Sequence, residues 1–189
     1  MPSQDSYFPL FISFKNRNIL LIGGGKIAFE KLKKLLEFTT NIKLISLEFS
    51  LEMLELVDKY SLVCERREYK SDDLKAIDFV VVAVNDESVH KKVYEDSREL
   101  KVFVNSVDNQ EFCDFIFPSI IKDENLTLAI STNGASPAVS KYLKRFLQKK
   151  LPKNINNFIK EMKNLRKSLP KGQERMKLLE QKAKEFFRV

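Results

Sequence analysis

Three consecutive glycines, Gly23-Gly24-Gly25, stand directly between residues 18–22 (NILLI), a run of branched apolar residues, and a segment with helical periodicity. The apolar run predicts a buried parallel strand. Across residues 26–37, Ile27, Phe29, Leu32, Leu35 and Leu36 recur at helical spacing. Gly23-Gly24-Gly25-Lys26-Ile27-Ala28 therefore fits G-x-G-x-x-A between a strand and a helix, the fingerprint of a dinucleotide-binding βαβ unit. Each position has a physical task in that reading. Gly23 permits the tight turn, Gly25 lets backbone approach a pyrophosphate, and Ala28 lets the helix pack closely on the sheet. The helix N-terminus at Lys26 and Ile27 offers N–H groups and partial positive charge to phosphate. A plain glycine turn in some other α/β protein is the alternative.

The pattern continues for about a hundred residues. Residues 42–47 read as a second strand, and 51–59 as a helix with Leu51, Leu54 and Val57 on one face. Residues 62–69 alternate like a strand, and 79–84 (FVVVAV) read as a strongly buried one. A polar-faced helix is expected over residues 87–100 and a short strand over 102–104. Residues 7–11, Tyr-Phe-Pro-Leu-Phe, are expected to form a short strand or a lid over the sheet edge. Alternation of strand and helix predicts an α/β fold, a Rossmann-type doubly wound parallel sheet with right-handed crossovers. After Asp108 the character changes. Residues 115–121 and 126–130 suggest a hairpin, and Ser131 to Pro137 a loop. Ser136 and Pro137 make an N-cap and first-turn pair for a helix reaching about residue 150. Two more charged helices follow, 155–169 and 173–187, parted by Pro170-Lys171-Gly172. Three parts result: a nucleotide-binding domain over 1–112, a small α+β linking module over 113–150, and a helical tail over 151–189.

In a doubly wound sheet, ligands bind beyond the carboxyl ends of the strands. Glu48, after the second strand, is the candidate acid for the adenosine ribose hydroxyls, with a solvent-facing loop glutamate as the alternative. No arginine closely follows it to hold a 2′-phosphate, which favours NAD over NADP. Ala83, Val84, Asn85 and Asp86 end the fourth strand, Asn105 to Asp108 follow the next, and all are expected near the nicotinamide. Asp86 serves equally as a helix N-cap, and Asp108 as a turn aspartate. His90, the single histidine, reads as a surface residue of a polar helix. The formal charge of +7 suits a polyanionic partner. The chain shows neither a helix-turn-helix nor an aromatic–basic RNA platform, so nucleic acid is not expected. No apolar run approaches the roughly 20 residues that cross a bilayer, so no membrane contact is expected. Cys64 and Cys113 are isolated and read as free thiols. Together with a polar N-terminus lacking a signal pattern, they predict a cytoplasmic protein. No His/Cys cluster is present to hold a permanent metal.

Tyr7-Phe8-Pro9-Leu10-Phe11, GGGKIAFEK, VVVAVND, VNSVD, FIFPSII and STNGASPAVSKYL, in that order and spacing, resemble one family. It is the precorrin-2 dehydrogenase and sirohydrochlorin ferrochelatase family, also found as the front module of trifunctional siroheme synthases. The resemblance covers residues 7–150 and extends weakly into the tail. It implies oxidation of precorrin-2 to sirohydrochlorin with NAD⁺ as hydride acceptor; some members also insert Fe²⁺, a substrate, to give siroheme. It further implies a homodimer joined by the middle module, with Asp108 as the key catalytic residue. It carries the NAD contacts to Gly23, Gly24, Gly25, Lys26, Ile27, Leu47 and Glu48. The tetrapyrrole pocket falls near Ser131, Thr132, Asn133 and Gly134; members often have Ser where Thr132 stands. Lys141, Lys144 and Arg145 on the following helix are candidates for the substrate's carboxylates, with a solvated face as the alternative. The large methyltransferase module of the trifunctional form has no counterpart here, so the chain is not expected to make precorrin-2 itself. Two other readings stay open: a different NAD(P)-binding enzyme, and a tetrapyrrole carrier for which Asp108 is dispensable.

Overall fold

The computed structural model describes residues 7–188, arranged as two compact units, 7–116 and 117–188. The first is a Rossmann-type α/β unit. Its elements are β1 (Ile19–Ile22), α1 (Lys26–Leu36), β2 (Ile42–Ser46), α2 (Leu51–Tyr60), β3 (Val63–Arg66), β4 (Phe79–Val82), α3 (Glu87–Leu100) and β5 (Phe103–Ser106). All strand pairs are parallel, in the order β3-β2-β1-β4-β5.

Side chains alternate across a strand, so a strand buried at every residue is covered on both faces. β1 and β4 are such strands, which is why their sequences are unbroken apolar runs. Leu20, Ile22, Ile45, Val80, Val82 and Val104 form one core with Val93 of α3 and Leu74 of a short 3₁₀ turn, Ser71–Leu74. The edge strand β3 is different: Val63 is 59% exposed. Ionic contacts hold it instead. Lys43 and Arg67 both reach Glu65, at 2.7 and 2.5 Å, and Arg67 also reaches Asp73 at 2.5 Å. The Arg67 guanidinium holds the Asp73 carboxyl below its ordinary value.

Three expectations change at this level. Residues 7–11 form no strand; Phe8, Leu10 and Phe11 project outward, 80%, 68% and 76% exposed. Pro9 in their middle has no N–H for a ladder. In α2 the buried stripe is Met53 and Val57, whereas Leu51 is 78% exposed. The third change is in β5, which runs two residues past Val104 and takes Asn105 and Ser106 into the strand. Register places Asn105 beside Val81 and Ser106 beside Val82, so the two side chains leave opposite faces of the sheet.

The second unit opens with an antiparallel hairpin, β6 (Ser119–Lys122) and β7 (Thr127–Ile130), pairing Ser119 with Ile130 and Lys122 with Thr127. Then come α4 (Pro137–Lys150), α5 (Ile155–Ser168) and α6 (Gln173–Phe187). Ser136 caps α4 by accepting from the Val139 N–H, with Pro137 in the first turn. α4 packs on the hairpin. Phe158 of α5 stacks on Phe186 of α6 at 4.0 Å between ring centroids. Among the described residues, no helix is long and apolar enough to cross a membrane.

Candidate functional site

The glycine turn shows a division of labour. Gly23 has φ +127°, and a Cβ there would lie 2.4 Å from the Ala83 carbonyl oxygen at the end of β4. A Cβ on Gly24 would lie 1.8 Å from the Glu48 carbonyl oxygen. These two glycines are required by the protein's own packing. Backbone bonds fix the same turn: Gly23 N–H donates to Ile45 O and Ser50 N–H to Gly24 O, each at 2.9 Å. Gly25 differs, because a Cβ there meets nothing within 4 Å. It is the exposed N-cap of α1 and contributes no side chain to the cap. Behind it Ala28 is fully buried. The open space lies at a helix N-terminus, whose first amides lack intrahelical partners. That space is open to a ligand, and a side chain at residue 25 would occupy it. Leu47 and Glu48 follow β2, both exposed, with the Glu48 backbone against Gly24.

A cavity of about 420 Å³ opens beyond the carboxyl ends of β4 and β5. Ile27 of α1, Ala83, Val84 and Asn85 after β4, and Val107, Asp108 and Asn109 after β5 line it, together with Glu87 and His90 of α3. Strand order reverses between β1 and β4, so the cavity stands at the topological switch point. Asp108 has φ +63°, in the left-handed region that a non-glycine residue enters at a cost. Cys113 holds this turn. Its sulfur accepts the Ser106 N–H at 3.2 Å and its S–H reaches the Ser106 and Asn109 carbonyls at 3.0 and 3.3 Å. Burial pushes the Cys113 thiol up, so it keeps the proton that these bonds need. Lys31, one turn along α1 from Ile27, is half-buried. Burial and then Lys34 lower its ammonium pKa, while the charges of Asp108 and Cys113 oppose the drop. A cation thus stands within electrostatic reach of Asp108.

The structure sorts the expected site residues. Gly23, Gly24 and Gly25 form the turn, Lys26, Ile27 and Ala28 begin α1 directly after it, and Ile27, Asn85 and Asp108 meet in the cavity. Asp86 caps α3, accepting from Ser88 N–H at 2.9 Å and Ser88 Oγ at 2.6 Å, and those bonds hold its carboxyl below the ordinary value. Asn105 is 5% exposed; its amide donates to Phe115 O at 2.8 Å, and its Oδ1 is buried without a partner. Ser131, Thr132, Asn133, Gly134 and Lys141 belong to the second unit. There Ser131 Oγ accepts the Asn133 N–H at 3.0 Å. Thr132 Oγ1 accepts the Ser136 N–H at 3.1 Å, tying the loop to the start of α4. Lys141 is exposed on α4.

His90 overturns the surface reading, being 5% exposed. Nδ1 lies 2.5 Å from Ser106 Oγ, and Nε2 lies 2.9 Å from the Val84 carbonyl oxygen. One signal could have found it: His90, Val93 and Ser97 form the buried stripe of α3 at helical spacing. Cys113 and Lys31 also escaped the sequence reading as site residues. The first lacks a motif of its own, and the second was one lysine among many.

This parallel sheet, with a glycine turn open to phosphate and a cavity at its switch point, defines a dinucleotide-binding protein of the Rossmann class. The chain belongs to the putative NAD(P)-binding family, whose model matches residues 10–119. The model of the sirohaem biosynthesis protein central region matches residues 123–150. The siroheme synthase of Mannheimia succiniciproducens is 31% identical over 150 residues, 79% of this chain and 32% of the relative. That of Pseudoalteromonas translucida is 32% identical over 79% of this chain and 32% of its own length. The chain thus spans about a third of the curated relatives it matches. A solved structure of SirC, a precorrin-2 dehydrogenase, superposes with a TM-score of 0.75 at 28% identity, covering 93% of this chain and 88% of that one. The family supports a nicotinamide cofactor.

Proposed function

We propose that this protein oxidises precorrin-2 to sirohydrochlorin, with NAD⁺ as acceptor. The observation that carries the reading is the cavity itself. It joins Asp108 to the switch point of an NAD(P)-binding fold, in a chain resembling a precorrin-2 dehydrogenase along nearly its whole length. Gly25 and the first amides of α1 would hold the pyrophosphate, and Glu48 the adenosine ribose. Glu48, with no arginine close behind it in sequence, supports NAD over NADP. When bound, NAD⁺ supplies the hydride acceptor. The substrate loses one hydride and one proton, and the protein must receive the proton. Asp108, which belongs to the cavity lining, is assigned to take it at Oδ. Lys31 supplies a positive charge within electrostatic reach of that carboxylate.

Ser131, Thr132, Asn133, Gly134 and Lys141 are proposed to contact the tetrapyrrole, supported by the match of residues 123–150 to the siroheme-biosynthesis region. We also propose a second reaction, insertion of Fe²⁺ as a substrate into sirohydrochlorin, which would give the product that the relatives' name specifies. Residues 113–150 are proposed as a homodimerisation module and 151–189 as a helical domain, in a cytoplasmic protein. Support for the dimer is an exposed apolar stripe on α4: Val139, Tyr142 and Phe146 are 54%, 66% and 56% exposed.

Asp108→Asn tests the role of the cavity. It keeps size and most hydrogen bonding but removes the base. Anaerobic oxidation of precorrin-2 should fall at least about 10²-fold, with NAD⁺ affinity nearly unchanged. Parental turnover in the variant would remove Asp108 from the reaction.

A further inference from the structure

Two loops wall the cavity on the nicotinamide side. One follows β4 and brings Val84 and Asn85; the other follows β5 and brings Val107, Asp108 and Asn109. The His90 ring bonds to both strand ends, through the Val84 carbonyl at 2.9 Å and Ser106 Oγ at 2.5 Å. A carbonyl oxygen only accepts, so Nε2 carries the hydrogen. The other nitrogen then accepts from the Ser106 hydroxyl. Ser106 is itself held from behind, its N–H and C=O both bonded to the Cys113 thiol. The turn that carries Asp108 is thereby joined, through Ser106 and the imidazole, to the backbone that carries Asn85. Both ring nitrogens are engaged in protein contacts, and the ring is almost wholly buried.

We propose that His90 is a positioning residue: it locks the β4 and β5 loops in the mutual register that receives the nicotinamide end of the dinucleotide, without itself exchanging a proton with substrate. This rests on the reading that the nicotinamide enters the Asp108 cavity. It extends that reading by separating the cofactor site into an adenosine half, built on the glycine turn and Glu48, and a nicotinamide half that depends on His90. The two halves can be probed separately, because ADP-ribose carries the pyrophosphate and both riboses but no nicotinamide.

The chain has one histidine, so ¹⁵N-histidine labelling of the full-length protein reports this ring alone. The expected spectrum shows the Nε2–H tautomer. NAD⁺ should shift the ring signals, and ADP-ribose should leave them nearly in place. His90→Phe fills the ring volume and removes both bonds. Its ADP-ribose affinity should stay within about twofold of the parent, while the extra affinity that nicotinamide confers is lost. The kcat for precorrin-2 should fall about 10- to 100-fold, the cost of a misplacement near one ångström. Ser106→Ala removes one bond and keeps the ring, so it decides the matter if His90→Phe does not fold; its losses should be of the same kind and smaller. His90→Gln, which can still donate to Val84, should recover part of the loss. The proposal is overturned by a parental NAD⁺ to ADP-ribose affinity ratio in both His90→Phe and Ser106→Ala. Equal loss of both ligands would also overturn it, by showing a general structural role, as would a ring that answers ADP-ribose as strongly as NAD⁺. If the parent binds NAD⁺ yet leaves precorrin-2 unchanged, the proposed reaction fails, while the ligand comparison still decides the role of His90.

Discussion

Gly23 and Gly25 sit two residues apart and are glycines for different reasons. A methyl group on Gly23 meets the Ala83 carbonyl at 2.4 Å in a backbone of positive φ, so Gly23→Ala must move β4 or the turn. A methyl on Gly25 meets nothing. Substitutions should therefore separate stability from binding. Gly23→Ala should destabilise the fold by about 1–3 kcal/mol, the usual cost of a strained backbone position, read as a lower urea midpoint. Gly25→Val should leave the unfolding free energy within about 0.5 kcal/mol, as for a surface change, yet abolish measurable NAD⁺ binding in calorimetry. Tight NAD⁺ binding by Gly25→Val would place the pyrophosphate elsewhere. The motif itself was legible in the sequence because its chemistry is local. The partners of His90 were not, since one of them is Ser106, 16 residues away and in another element. A histidine in a helix rich in charge carries no local mark of the partner that will bury it.

Strands and helices were readable wherever burial was uniform. β1 and β4 follow from unbroken apolar runs, and α3 has the expected bounds, Glu87–Leu100. Reading failed where register decides. β5 extends to Ser106, and this extension sends Asn105 and Ser106 to opposite faces. Only the β4 neighbour shows that Asn105 is a buried strand residue whose amide bonds Phe115. The α2 stripe likewise shifted from Leu51 to Met53, because the sheet behind the helix selects its face. For α4 the hydrogen-bonded start at Ser136 and Pro137 was legible, and one face remains apolar and exposed. Val139, Tyr142 and Phe146 lie three and four residues apart on that face. An apolar stripe of this kind is expected to be covered by a second copy. Sedimentation of the parent at micromolar concentration should give about twice the 22.0 kDa of the chain. Phe146→Glu should shift it toward monomer with the helix intact by circular dichroism. A parent that sediments as monomer would remove the dimer from the proposal.

At the scale of the whole molecule, an NAD(P)-binding unit is followed by a hairpin and three helices that match a siroheme-biosynthesis region in part. The strand–helix alternation revealed the first unit because a parallel sheet demands it. The second unit has no periodicity that states its purpose, and its reading came from the ordered motifs FIFPSII and STNGASPAVSKYL. The net charge of +7 suits an acidic tetrapyrrole but equally suits other polyanions, so charge alone selects no substrate. Selection must come from turnover. The most direct measurement gives the purified full chain precorrin-2 and NAD⁺ without oxygen, and follows sirohydrochlorin and NADH together by absorbance. One NADH should appear for each sirohydrochlorin formed, with NADP⁺ a markedly poorer acceptor. Binding of NAD⁺ with precorrin-2 left unchanged, or sirohydrochlorin formed without matching NADH, would contradict the proposed reaction.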